Sequence, residues 1–115
     1  MRRLGYSLNK IIQSLDSVEV ITKNNVHFKD LVEVTTQNST YKIFVLGQND
    51  FLISGGWFDR KGLSPYRTKI NGCTWGGSII KHDIIASRGM CIEFGNRVTT
   101  TVIKEINWHK SASQN

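Results

Sequence analysis

The hydrophobic positions change their period once along the chain. Leu8, Ile11, Ile12 and Leu15 fall at i, i+3, i+4 and i+7, which is one stripe of a helix. Ser7 stands just before them, where a hydroxyl can accept from a free backbone N–H. This spacing predicts a short N-terminal α-helix over 7–15. So short a helix does not hold by itself and needs a sheet or another chain to pack on. From Asp16 onward the period is 2. Val18, Val20 and Thr22 alternate with Glu19 and Ile21, and Asn24-Asn25 reads as a turn because asparagine tolerates left-handed backbone. Residues 31–36 (Leu-Val-Glu-Val-Thr-Thr) make a second strand, and Gln37-Asn38-Ser39 a hairpin loop. Residues 40–46 come next, with Tyr41, Ile43 and Val45 on one face and Phe44 and Leu46 on the other. Only Lys42 is charged there, so the pattern predicts a central strand covered on both faces.

The stretch 47–77 differs. It holds seven of the ten glycines and the only proline. A loop of that length is improbable in a small domain, so short strands are expected at 51–54 and 66–70 with loops around them. Residues 78–88 read two ways. Ser78 and Gly89 would suit the ends of a helix, but the stiff, β-branched Ile79, Ile80, Ile84 and Ile85 favour strand, with a break near His82-Asp83. Residues 90–94 and 98–108 flank Gly95-Asn96, a hairpin turn pair. Residues 109–115 are polar and expected to fray. Many short strands with one helix predict a mainly β fold, an antiparallel small barrel or sandwich of SH3-like or OB-like type. All 115 residues fit one domain: the helix at 7–15, the β domain at 16–108 and the polar tail.

Composition narrows the class. Hydrophobic residues at 39% and charged residues at 21% are those of a globular chain and exclude a disordered one. No apolar run approaches the roughly 18 residues of a membrane span. The opening Met1-Arg2-Arg3-Leu4-Gly5 leads into no apolar stretch of the kind an export signal needs, since Asn9, Lys10 and Gln13 break up the next residues. A cytoplasmic chain with reduced Cys73 and Cys91 is the expectation. Asn38-Ser39-Thr40 then reads as a turn and not as a glycosylation site.

Charge and chemistry come last. The net charge is +6, and residues 55–97 contribute a net +4, with Arg60, Lys61, Arg67, Lys69, Lys81, Arg88 and Arg97 against Asp59, Asp83 and Glu93. Such an excess attracts polyanions, although it also serves solubility. Trp57, Tyr66 and Trp75 are interleaved with Arg60, Lys61, Arg67 and Lys69, the residue types that stack on bases and contact a phosphate backbone in single-strand binders. The seven form the candidate nucleic-acid or ligand surface. No phosphate-loop or dinucleotide motif occurs. His27, His82, His109, Cys73 and Cys91 show no metal-ligand spacing, so no metal and no cofactor is expected. Cys73 beside Gly72 is a candidate exposed nucleophile, with His82-Asp83 as the nearest base and carboxylate. A small ribonuclease-like enzyme would draw on His82 with His109, or Glu93 with either, plus Lys81 or Arg88. No spacing singles this out, so the sequence favours a non-enzymatic binding or assembly module, self-associating as a homo-oligomer. Single-stranded nucleic-acid binding through 57–75 is the alternative.

Overall fold

The computed structural model describes residues 17–76 and 78–111. Ten strands and one short helix run in order: β1 (Val20–Thr22), β2 (Leu31–Thr36), β3 (Thr40–Gly47), β4 (Asp50–Gly55), α1 (Gly56–Arg60), β5 (Tyr66–Thr68), β6 (Ile70–Thr74), β7 (Ile80–Lys81), β8 (Ile84–Ser87), β9 (Cys91–Phe94) and β10 (Ile103–His109). The fold is mainly β, in three antiparallel sheets ordered β10-β2-β3-β4-β5, β7-β6-β9 and β1-β8. The helix expected at 7–15 lies outside the described residues. The helix that is described is internal, a single turn and a half at 56–60.

Period-2 patterning places the core. On the large sheet Val32 and Val34, Tyr41, Ile43 and Val45, and Phe51 and Ile53 all point inward and are buried. Cross-strand pairs Val32 with Ile43 and Ile43 with Ile53 keep these side chains in register. Ile70, Cys73, Ile85, Ile92 and Phe94 close the core from the two smaller sheets. The central position of β3 agrees with its pattern, but its two faces are unequal. Tyr41, Ile43 and Val45 are buried, whereas Phe44 and Leu46 are half-buried and Lys42 is exposed. Leu31, Phe44 and Leu52 line up across strands on that outer face.

Gly55 and Gly56 turn β4 into α1. Both have positive φ, and a Cβ at either would collide with the Thr40 carbonyl or the Tyr41 ring. The close approach lets the Tyr41 hydroxyl accept from the Trp57 N–H at 3.2 Å. It also drops Phe58 into the core among four rings. Tyr41, Trp57 and Phe94 meet it edge-on at 6.3, 5.2 and 5.1 Å, and Tyr66 stacks on it at 5.3 Å. Asp59 secures the turn by accepting from the Gly55 N–H at 2.9 Å and from the Ser64 hydroxyl at 2.5 Å. These bonds, the Ser64 one foremost, hold its carboxyl below the usual carboxylate range.

Residues 78–88 form two strands interrupted at His82-Asp83, as the isoleucines predict. At the C-terminal end His109 closes β10. The buried Asp30 accepts from the Trp108 indole at 3.0 Å and from the Ser111 N–H at 2.8 Å, which ties down that end.

Candidate functional site

The site is built around a β-bulge in β6. Ile70 pairs with Phe94 and Gly72 with Glu93, so Asn71 is the extra residue between them. A bulge re-aims a side chain, and here Asn71 Nδ2 donates to Glu93 Oε2 at 2.8 Å and to the Phe94 carbonyl at 3.1 Å. Gly72 comes next with φ +148, and a Cβ there would clash with the Lys81 carbonyl. Only glycine lets the end of β7 lie this close. That contact brings His82 beside β6, where its Nδ1 stands 3.1 Å from the Asn71 backbone carbonyl. A carbonyl can only accept, so Nδ1 carries the hydrogen. Nε2 is thereby left for other partners.

Above this bulge lies a cleft of 420 Å³, in the size range of small-ligand sites. Three cations reach it from separate parts of the chain. Lys23 comes from the 3-10 turn after β1, Lys69 from between β5 and β6, and Arg97 from the turn after β9. Glu93 and His82 line the same cleft. Among the described residues none of the three cations makes a salt bridge. Partial burial pulls the Lys23 ammonium below its ordinary value, against the opposing pull of Asp83. A bound anion would reverse that shift.

Two turn residues on the cleft wall hold uncommon backbone. Asn49 has φ +47 and Arg97 φ +74. Asn49 has a structural duty, since its Oδ1 accepts from the Ile70 N–H at 3.2 Å. Arg97, in the other such turn, lines the cleft.

The seven sequence candidates part company. Trp57 and Tyr66 pack on Phe58. Arg60 donates to the Ser39 hydroxyl at 3.1 Å, and Lys61 lies 6.0 Å over the Trp57 ring. Arg67 makes a two-pronged contact with Asp50, at 3.0 and 2.7 Å, on the surface. Lys69 alone lines the cleft. Trp75 follows Thr74, a cleft residue, in the chain and is 65% exposed. Lys23, Asn71 and Arg97 were not among the sequence candidates. An arginine just after Gly95-Asn96 was the available signal, since it occupies a hairpin turn where a third glycine or asparagine would be easier.

The nucleophile reading of Cys73 is overturned. Cys73 is fully buried in β6, donates to the Ile85 carbonyl at 3.4 Å, and burial pushes its thiol up to about 12. A thiol that stays protonated is a poor nucleophile. Cys91 is buried as well, and both cysteines are free. His109 sits on β10 of the large sheet against Glu33 Oε1 at 3.2 Å, whereas His82 lies in the turn between β7 and β8. Among the described residues no three His, Cys, Asp or Glu side chains are placed to hold a metal, and no helix is long and apolar enough to cross a membrane. Against protein-family models, curated proteins and solved structures alike, the chain finds no match.

Proposed function

We propose that the protein is a binding module for phosphate-bearing ligands, single-stranded nucleic acid foremost, and that the cleft over β6 is its binding surface. One observation carries this reading: Lys23, Lys69 and Arg97 converge on a single concave site, and none of them is in a salt bridge with a described residue. A recessed site flanked by low-dielectric walls concentrates the field of such charges. The cations would face the backbone, and the exposed Trp75, which follows the cleft residue Thr74 in the chain, would offer its ring to a base. This keeps Lys69 and Trp75 from the expected surface and moves its centre from 57–75 to the bulge.

The test is a titration of intrinsic tryptophan fluorescence with a single-stranded oligonucleotide at two salt concentrations. Binding should quench the emission. Three phosphate contacts on a single strand give a log–log salt slope of about −2, so a fourfold rise in salt weakens binding roughly 20-fold. Unchanged emission at low salt, together with no retention of the oligonucleotide, would remove the proposal.

A further inference from the structure

We propose that the cleft also cleaves the RNA it binds, with Glu93 as general base and His82 as general acid. The inference rests on the cleft being a phosphate site. It goes further because it assigns a reaction to two groups that phosphate binding does not require.

Asn71 is the organising residue. Its side-chain amide donates to Glu93 and its backbone carbonyl accepts from His82, so one bulged residue orients both groups. The amide fixes the Glu93 carboxylate, a group able to take a proton. The carbonyl takes the Nδ1 hydrogen, so Nε2 is the nitrogen that can meet a substrate, and in the imidazolium it carries the proton an acid gives. Asn71 thus anchors both groups, and both line the cleft that three cations share. In-line displacement at phosphorus calls for that set: a base at the attacking oxygen, an acid at the leaving oxygen, and positive charge around the equatorial oxygens.

RNA supplies its own nucleophile. The Glu93 carboxylate takes the proton of the ribose 2′-hydroxyl as the 2′-oxygen forms a bond to phosphorus. The bond from phosphorus to the 5′-oxygen breaks, and that oxygen takes the proton from His82 Nε2. The products are a 2′,3′-cyclic phosphate and a free 5′-hydroxyl. Glu93 ends protonated and His82 neutral, and exchange with water restores both. Lys23, Lys69 and Arg97 stabilise the extra negative charge of the pentavalent phosphorus. DNA lacks the 2′-hydroxyl and should bind without being cut.

The experiment incubates the full chain with an end-labelled single-stranded RNA and the matching DNA, in the presence of a chelator, while binding of each is followed by fluorescence in parallel. The expected result is RNA cleavage leaving cyclic phosphate ends and intact DNA. His82→Ala and Glu93→Gln, purified identically, should each lose at least about 100-fold in cleavage rate while retaining RNA binding. Glu93→Gln preserves shape and keeps an oxygen for Asn71, so loss of folding does not explain its effect. RNA that is bound and remains intact would overturn the cleavage proposal and leave the binding reading standing. Equal cleavage by either variant would overturn it too, and so would cleavage of the DNA. RNA that neither binds nor is cut refutes both readings.

Discussion

Replacing Arg97 by glycine should strengthen the fold and weaken the site. Arg97 sits at φ +74, in the left-handed region where a Cβ crowds the backbone. Its N–H donates to the Phe94 carbonyl at 2.9 Å, a turn bond that glycine keeps. Its side chain makes no salt bridge among the described residues. Glycine removes a strain of about 1–2 kcal/mol and returns part of it through the greater freedom of the unfolded chain. A net gain of roughly 0.5–1 kcal/mol is expected, which raises the melting temperature by a few degrees in a domain of this size. Binding should respond in the opposite direction. With two phosphate contacts left of three, the log–log salt slope falls from about −2 to about −1.4, and a fourfold rise in salt then weakens binding about 7-fold where the unaltered chain loses roughly 20-fold. Calorimetry and oligonucleotide titration on the same preparation read the two effects. A variant that is less stable would show that the turn does not strain the arginine. A variant with an unaltered salt slope would show that Arg97 does not meet phosphate, whatever its stability.

The packing sets three more expected outcomes. Phe58→Ala empties the centre of four rings and should cost about 3–5 kcal/mol, read as a lower urea midpoint. Gly72→Ala forces β6 and the His82 turn apart, so it should destabilise by roughly 2 kcal/mol and depress cleavage more than binding; wild-type stability would refute the close contact. Cys73 stays protonated in the fold up to about 12, whereas the unfolded thiol ionises near its ordinary value, so its contribution is whole below that value and is lost as pH rises through the folded one. Relative to Cys73→Ala, the unaltered chain should therefore lose stability by about 1 kcal/mol per pH unit across that window. Parallel pH profiles of the two would contradict the assignment.

β2 and β3 were legible because one face of each is buried and the other is not, whereas β6 runs through 70–74, where loop was expected past residue 70, and β10 forms at Ile103–His109, where a strand was expected over 98–108. Leu31–Thr36 and Thr40–Gly47 show a clean alternation, and their pairing agrees with it. Residues 78–88 were legible through side-chain shape, since branched isoleucines suit a pleated surface better than a helix. The helix α1 was not legible. It is one and a half turns long, comes straight out of a Gly-Gly turn, and exists because Phe58 is drawn into a ring cluster assembled from β3, β5 and β9. No local pattern encodes that. The same holds for Cys73, whose burial comes from β8 lying across β6, while the adjacent Gly72 read only as a loop residue.

The candidate site shows why charge along a sequence is a poor guide to charge in space. Seven cations fall within 55–97, and the sequence treats them alike. Folding divides them by partner. Arg67 is taken by Asp50 and Arg88 by Glu19, both on the surface, where such pairs contribute little to stability but neutralise the cation. Lys69 and Arg97 are brought to the cleft with no described carboxylate in salt-bridge distance, and Lys23, which lies outside the basic segment, joins them because β1 pairs with β8 and its N–H meets the Asp83 carbonyl at 2.8 Å. Aromatic residues divide in the same way, with Trp57 and Tyr66 drawn to Phe58 and Trp75 left exposed. Pairing alone does not single out the cleft, since among the described residues Arg60 meets only the Ser39 hydroxyl and Lys81 meets neither an acid nor a ring; what distinguishes Lys23, Lys69 and Arg97 is that they are in no salt bridge with a described residue and share one concave site. The proposed surface is therefore a product of convergence in three dimensions, and it centres on Asn71, the bulged residue that the β6 ladder with β9 leaves unpaired.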